Sequence, residues 1–210
     1  MTIFCINIGN LDYCKYSIFF IEKLCLYNNI NFFILNNNSK YNKYNVHPSW
    51  LKLFCHTLVE DDFILCWDLD LLPTKLFDIH KFLDTKNINL AYDQAYIRDN
   101  FTFNNKFKYN CGLLGIPKTY QREIENIYYK AKNSSYPSYE QYHVNDWIFD
   151  NNILIHNLDT KLNMMYDGTC IDKNNINYNI HYTWKITSSK HKYDLIINHY
   201  NTFKEGFDFR

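Results

Sequence analysis

The spacing of apolar positions along the chain predicts strands that alternate with helices. Residues 2–8 are an apolar run that ends at Gly9, which predicts a buried first strand followed by a turn. In residues 16–27, apolar side chains recur on one side, as in an amphipathic helix. The same reasoning predicts further strands at residues 31–35, 63–67, 90–92, 111–116, 178–182 and 195–199. It predicts a polar loop at residues 36–45 and further helices that open at Pro48 or cover residues 123–132 and 144–155.

This alternation predicts an α/β fold with a mostly parallel central sheet flanked by helices. The chain has 210 residues, and it contains neither an internal repeat nor a linker rich in Pro, Gly or Ser. A single domain over residues 1–210 is therefore expected.

One pair of acids follows a predicted strand directly. The apolar residues 63–67 end in Asp68-Leu69-Asp70. In extended chain, Asp68 and Asp70 point to the same side, about 7 Å apart. Two carboxylates at the carboxyl end of a sheet strand favour a hard divalent cation, Mn²⁺ or Mg²⁺, which completes its coordination with substrate phosphates. The alternative for these two residues is a solvated turn.

The net charge argues against one class of function, and the cysteine content indicates the cellular compartment. Lys plus Arg and Asp plus Glu both total 22, and a net charge of zero argues against a dedicated binder of duplex DNA. The seven cysteines lack paired C-x-x-C spacing, which indicates buried thiols and not a zinc site. This predicts a reducing, cytoplasmic location, the host cytoplasm if the protein is viral. No stretch is apolar enough to predict a transmembrane helix or a signal peptide.

The segment around Asp68 and Asp70 resembles the D-x-D region of the GT-A glycosyltransferases, which are glycogenin-like or galactosyltransferase-like enzymes. The chain is also similar to compact glycosyltransferase domains of large DNA viruses. The resemblance implies a GT-A-type single domain with hexosyltransferase activity. In that family the D-x-D acids hold the metal that bridges the diphosphate of a nucleotide-sugar, and the first acid also reaches the ribose.

The resemblance extends to further segments in the expected order. Ile8, Asn10 and Tyr13 follow the first strand, where such enzymes hold uridine, and Lys52 lies on a helix near the nucleotide. Asn110 and Gly112 belong to Asn110-Cys111-Gly112, which resembles the family's Asn-Ser-Gly strand at the sugar pocket. The chain departs from the family in having Cys111 in place of the small Ser.

The carboxyl-terminal part resembles the family's His-Phe pair with a Lys five positions on. The resemblance makes His199 the third metal ligand and gives Lys204 a contact to the diphosphate. We expect residues 195–197 to form a strand that delivers His199 into the cleft, and residues 202–207 to form a short lid. His181 is the alternative ligand, although a packed surface histidine is the simpler interpretation of it.

Two acids are candidates for catalytic roles. Asp146 lies where the family has an acid facing donor and acceptor, and it would be the base of an inverting enzyme. Asp93 ends a predicted strand and is placed to contact the donor sugar. The alternatives are an ordinary acid at a helix start for Asp146 and a capped turn for Asp93.

The sequence therefore predicts a metal-dependent transfer of a sugar from a UDP-sugar to a hydroxyl of a glycan or glycoprotein, with no nucleic-acid partner. Two other functions stay open. One is a metal-dependent nucleotidyltransferase, although Gly9 to Lys15 is a poor phosphate loop because it has a single Gly. The other is a non-catalytic carbohydrate-binding domain that retains the fold.

Overall fold

The structure is a computed structural model, and it describes residues 1–9, 11–36, 47–93, 108–131, 139–166, 177–182 and 189–208. Nine strands are described: β1 Thr2–Asn7, β2 Asn31–Asn36, β3 Phe63–Trp67, β4 Leu71–Pro73, β5 Ile88–Tyr92, β6 Tyr109–Pro117, β7 Ile155–Asn157, β8 Met164–Met165 and β9 Asn179–His181. The α-helices in this part of the chain are α1 Cys14–Asn28, α2 Cys55–Leu58, α3 Gln121–Ala131, α4 Glu140–Asp150 and α5 Ser189–Phe203. A 3₁₀ segment, Pro48–Phe54, leads into α2.

Six strands form the central sheet in the order β2-β1-β3-β6-β5-β7. The pairs β1–β2, β1–β3 and β5–β7 are parallel, whereas β6 runs antiparallel to both β3 and β5. All strands of this sheet except β6 therefore share one direction, which confirms the predicted α/β fold with a mostly parallel sheet. The carboxyl ends of β1 and β3 lie at the same edge.

The central strands are apolar because both faces of the sheet are covered. All five residues of β3 are buried. Leu65 and Trp67 pack on one face together with residues of α1, and Ile64 and Cys66 pack on the other with residues of α3 and α4. Burial on both faces explains why β3 is a continuous apolar run instead of an alternating one.

A smaller sheet lies beyond the end of β3. Its order is β4-β9-β8, with β4 and β9 antiparallel. A third apolar cluster joins this sheet to α1 and α5 through Leu72, Phe20 and Ile196. Because β4 begins three residues after Asp68, the small sheet holds the chain on the far side of the two acids.

Most predicted elements are confirmed within a few residues, and two are corrected. The predicted strand at residues 195–199 is wrong, because this segment lies inside helix α5. The predicted helix at residues 144–155 begins earlier and ends at Asp150, since Asn152 has φ of 49° and breaks the helix. The predicted loop at residues 36–45 lies almost entirely outside the described residues. No helix in the described ranges is long and apolar enough to cross a membrane.

Candidate metal centre

The candidate site begins where β3 ends. The backbone N–H of Asp68 donates to the carbonyl of Gly112 over 2.9 Å, which extends the β3–β6 ladder by one residue. The N–H of Leu71 donates to the carbonyl of Asp68, also over 2.9 Å, and closes a turn. The backbone of Asp68 is thereby fixed at the carboxyl edge of the sheet, where the sequence predicts it.

The small sheet delivers His181 to the two acids. Leu71 of β4 pairs with His181 of β9, and the N–H of Tyr182 donates to the carbonyl of Asp70 over 2.8 Å. The ligand atoms of Asp68, Asp70 and His181 all lie within 4.8 Å of one another. Among the described residues, these three side chains form the one such group of possible metal ligands.

The imidazole of His181 is held in a defined orientation. Its Nδ1 lies 2.8 Å from Oδ1 of Asn163, so that Nδ1 carries the proton and donates to this oxygen. Gly112 lies against the ring, and a Cβ at this position would overlap the Cε1 atom of His181. The second ring nitrogen, Nε2, is consequently directed at Asp70.

These residues fit a divalent cation such as Mn²⁺ or Mg²⁺. Nε2 of His181 lies 3.2 Å from Oδ1 of Asp70. This is close to the separation of roughly 3 Å between adjacent ligands in an octahedron with bonds of about 2.1 Å. An unprotonated Nε2 facing a carboxylate is repulsive unless a proton or a cation lies between them. Two carboxylates and an imidazole anchored through Nδ1 are a competent donor set for a cation.

A buried lysine fixes the first acid. Nζ of Lys52 lies 2.6 Å from Oδ1 of Asp68, 3.0 Å from Oε1 of Glu140 and 2.9 Å from the carbonyl oxygen of Cys111. Burial opposes the charge on Lys52, but the two carboxylates outweigh it and raise its pKa well above the ordinary value. Since its three N–H groups have protein acceptors, Lys52 holds Asp68 and Glu140 together, and the structure does not direct its ammonium at a nucleotide.

The second acid has side-chain partners on both sides. Oδ1 of Asp70 faces His181, and Oδ2 lies 2.5 Å from Nζ of Lys192, a residue of α5. Burial disfavours the charge on Asp70, but the combined effect of His181 and Lys192 is larger and lowers its pKa below the ordinary value. Asp70 is therefore a carboxylate at neutral pH.

A polar network continues from the metal ligands along β6. Oδ1 of Asn110 accepts hydrogen bonds from the N–H of Gly112 over 2.8 Å and from Nδ2 of Asn163 over 2.9 Å. On the far side, Oδ2 of Asp93 lies 3.5 Å from Nδ2 of Asn110 and 3.3 Å from Nε2 of Gln141. The register of β5 and β6 shifts between Leu90 and Ala91, next to the pairing of Ala91 with Asn110.

The structure thus brings together six of the side chains or backbone positions that the sequence singles out: Lys52, Asp68, Asp70, Asp93, Asn110 and Gly112. Tyr13 lies close to them, since Nζ of Lys192 stands 5.7 Å from the centre of its ring. Ile8 is half-buried against the apolar cluster on the α3–α4 face of the sheet. Asn10 lies outside the described residues.

His199 is not part of this group, and the expectation that it is the third ligand is corrected. It lies in α5, fully buried. Its Nε2 lies 2.7 Å from the carbonyl oxygen of Pro73, and its Nδ1 lies 2.9 Å from the hydroxyl of Tyr182. Burial lowers the pKa of His199 to about 4. Both ring nitrogens are bonded within the protein, so His199 is a core residue, and His181 takes the place expected for it.

Lys204 and the expected lid are also corrected. Residues Lys204–Phe207 form a 3₁₀ turn after α5, and the ring of Phe207 is fully buried, 4.8 Å from the ring of Phe20. The ammonium of Lys204 stands 5.2 Å from the centre of the Tyr200 ring. A segment anchored by a core aromatic is unsuited to folding over a nucleotide as a lid.

Helix α4 contributes different residues from those expected. Gln141 contacts Asp93, and Asn145 brackets the backbone of Tyr109 with hydrogen bonds of 2.8 and 2.9 Å. Asp146 follows Asn145 directly and so points about 100° away around the helix. The catalytic role expected for Asp146 stays a prediction.

Several residues of the site escaped the sequence analysis: Glu140, Gln141, Asn163 and Lys192. The sequence carries a signal for α4, because Gln141 and Asn145 are four residues apart and so lie on one side of a helix. No local pattern distinguishes Asn163 or Lys192 from the many other Asn and Lys residues of the chain.

Comparisons with known proteins identify the fold. No protein-family model matches the sequence, and no curated protein matches it. Matching solved structures include a glycosyltransferase involved in the glycosylation of the major capsid of PBCV-1. It is 12% identical with a TM-score of 0.67, and the match covers 94% of this chain and 99% of that chain.

Two further structures match over a similar share of this chain. The galactosyltransferase LgtC, in complex with donor and acceptor sugar analogs, is 13% identical with a TM-score of 0.62, covering 96% of this chain and 95% of that chain. The glycosyltransferase GlyE of Streptococcus pneumoniae is 14% identical with a TM-score of 0.60, covering 95% of this chain and 62% of that chain. The chain therefore has the fold of the GT-A glycosyltransferases.

Proposed function

We propose that this protein is a metal-dependent glycosyltransferase that moves a sugar from a nucleotide-sugar, a UDP-sugar, to a hydroxyl of a glycan or glycoprotein. In this proposal residues 1–210 form one catalytic domain, and Mn²⁺ or Mg²⁺ is the cofactor. The observation that carries the proposal is the convergence of Asp68, Asp70 and His181 at the carboxyl edge of a sheet of GT-A fold.

The three proposed ligands would hold the cation from different sides. Asp70 and His181 face each other, and Asp68 stands beside them with Lys52 fixing its carboxylate. When bound, a divalent cation at this place supplies Lewis-acid stabilisation to the diphosphate that leaves C1 of the sugar. The chain's own contribution is an oriented donor set, because Lys52 fixes the carboxylate of Asp68 and Asn163 fixes the imidazole of His181.

The polar network beside the proposed metal site supports a binding pocket for the donor sugar at this place. Asp93 and Asn110 are both more than nine-tenths buried and present amide and carboxylate groups that can bind sugar hydroxyls. Oε2 of Glu140 is buried and has no hydrogen-bond partner among the described residues. A buried acceptor without a partner is unfavourable, so a hydroxyl of the donor would satisfy it.

The uridine end of the donor is proposed near the carboxyl end of β1. Ile8 and Asn10 follow this strand, and Tyr13 lies near Asp70. Because β1 and β3 are parallel neighbours, their carboxyl ends meet at one edge of the sheet, where open α/β sheets bind ligands. This geometry supports a base site next to the proposed diphosphate site.

The test is release of the nucleoside diphosphate from panels of UDP-sugars and GDP-sugars, measured with and without Mn²⁺ and with water or simple glycosides as acceptors. We expect metal-dependent release that Asp70→Asn abolishes. Asp62→Asn is the matched control, because Asp62 is an exposed acid just before the same strand. Release that is unchanged in Asp70→Asn would overturn the assignment. Release from GDP-sugars alone would overturn the choice of uridine.

A further inference from the structure

Lys192 stands at the candidate metal centre without belonging to its ligands. Its ammonium contacts Oδ2 of Asp70, and Oδ1 of the same carboxylate faces Nε2 of His181. Both oxygens of Asp70 are therefore engaged from within the protein. A divalent cation that takes Asp70 as a ligand must compete with the ammonium for this carboxylate, because two cations in contact with one carboxylate repel each other strongly in a partly buried site.

The two lysines of the site differ in how firmly they are held. Lys52 has a side chain that is 5% exposed and has three protein acceptors. Lys192 has a side chain that is 22% exposed, with Asp70 as its ion-pair partner and the ring of Tyr13 beside it at 5.7 Å. A long and partly exposed lysine side chain can turn towards solvent when its partner is taken. Lys52 is a fixed part of the site, whereas Lys192 is exchangeable.

We propose that Lys192 is a built-in counter-ion of the metal centre. Its ammonium neutralises Asp70 while the centre holds no metal, and a divalent cation displaces it on binding. This inference rests on the metal centre of the proposed function. It adds that the counter-ion comes from α5, whereas the residues that bind the cation do not belong to this helix.

The physical consequence is a metal affinity that Lys192 weakens. Removing the charge of Lys192 leaves Asp68 and Asp70 with less positive charge nearby and removes the cation that would repel a metal ion at the Asp70 carboxylate. Both effects favour a bound cation. We expect Lys192→Gln to bind Mn²⁺ about tenfold more tightly than the unaltered protein, which corresponds to about 1.4 kcal/mol.

The experiment is a titration of the full chain with Mn²⁺ alone, in which the free ion is measured by electron paramagnetic resonance at constant pH and ionic strength. The variants are Lys192→Gln and Lys192→Arg, with Lys190→Gln as control. Lys190 lies on the same helix and its side chain is 88% exposed. It therefore reports the general effect of losing one positive charge.

The expected order is tighter binding in Lys192→Gln, with Lys190→Gln and Lys192→Arg close to the unaltered protein, because Arg keeps the competing charge. Equal Mn²⁺ affinities in Lys192→Gln and the unaltered protein would overturn the proposed counter-ion role of Lys192. So would an equal gain in the Gln and Arg variants, which would point to packing instead of charge. If neither the unaltered protein nor Lys192→Gln binds Mn²⁺, the metal centre of the proposed function itself is wrong. Binding by Lys192→Gln alone would be the strongest support.

Discussion

Nε2 of His181 and Oδ1 of Asp70 face each other across 3.2 Å, although His181 ends β9 and Asp70 lies just before β4. The pairing of Leu71 with His181 and the hydrogen bond from the N–H of Tyr182 to the carbonyl of Asp70 set this distance. The metal centre is therefore built by pairing between β4 and β9, and its ligands depend on groups that fix the imidazole from behind.

Asn163 is the first of these groups. Its Oδ1 accepts the hydrogen bond from Nδ1 of His181 and so holds Nε2 towards Asp70. Asn163→Leu should weaken Mn²⁺ binding by about tenfold or more, because the loss of a partner behind a ligating histidine typically has this effect. Calorimetric titration with Mn²⁺ measures it. Asn151→Leu, at the exposed end of α4, is the control, and an unchanged affinity in Asn163→Leu would contradict the role of this residue.

Gly112 is the second group that fixes the imidazole of His181. A Cβ at Gly112 would overlap the ring of His181, whereas a Cβ at Gly115 on the same strand would lie 2.7 Å from the ring of Phe63. Both Gly112→Ala and Gly115→Ala should lower the free energy of unfolding by about 1–3 kcal/mol through overpacking.

Metal binding separates the two glycine variants. Gly112→Ala should also lose Mn²⁺ affinity, since it displaces His181, while folded Gly115→Ala should keep it. Urea unfolding gives the stabilities and a Mn²⁺ titration gives the affinities. Equal affinities for the two variants would show that contact with His181 is not what requires a glycine at position 112.

Lys52 should contribute to stability through the two acids that it joins. Lys52→Met leaves the carboxylates of Asp68 and Glu140 close together in a buried place without a counter-charge. The expected loss in the free energy of unfolding is about 3–5 kcal/mol. In Lys52→Met combined with Glu140→Gln, one of these charges is gone, so part of the loss should be recovered. Thermal and urea unfolding of the single and double variants measure the coupling, and strictly additive losses would exclude it.

The sequence predicts the central sheet well because its signals are local. The apolar run of β3 and the acids after it are adjacent in the chain, so the position of Asp68 and Asp70 at the sheet edge follows from the sequence alone. The choice between His181 and His199 does not follow from it. That choice depends on the pairing of β9 with β4 across a sequence separation of more than a hundred residues.

The incorrect prediction of a strand at residues 195–199 has a physical cause in the same segment. Three consecutive apolar residues, 195–197, suggest a strand, but the buried positions Ile196, His199 and Phe203 are three and four residues apart, which is the spacing of a helix. A histidine on the buried side of that helix interrupts the apolar pattern. The pattern is recognisable once the ring of His199 is known to be neutral and packed against Tyr182.

The pH dependence of stability tests this assignment of His199. Its pKa in the folded protein is about 4, below the ordinary value of 6.5, because burial disfavours the charged ring. The unfolded chain therefore binds more protons than the folded chain between these values, and stability falls as the pH falls from 6.5 towards 4. The loss attributable to His199 should be about 2 kcal/mol at pH 5 and about 3 kcal/mol below pH 4.

Urea unfolding at pH 7 and pH 5 measures this loss in the unaltered protein, in His199→Gln and in His191→Gln, the last being a control at an exposed position of the same helix. Glutamine does not titrate, so His199→Gln should lose about 2 kcal/mol less than the other two proteins between these pH values. It should also keep the Mn²⁺ affinity that His181→Gln loses, because only the ring of His181 faces Asp70. Equal pH dependence in all three proteins would contradict a neutral, buried ring. A greater loss of Mn²⁺ affinity in His199→Gln than in His181→Gln would return the role of metal ligand to His199.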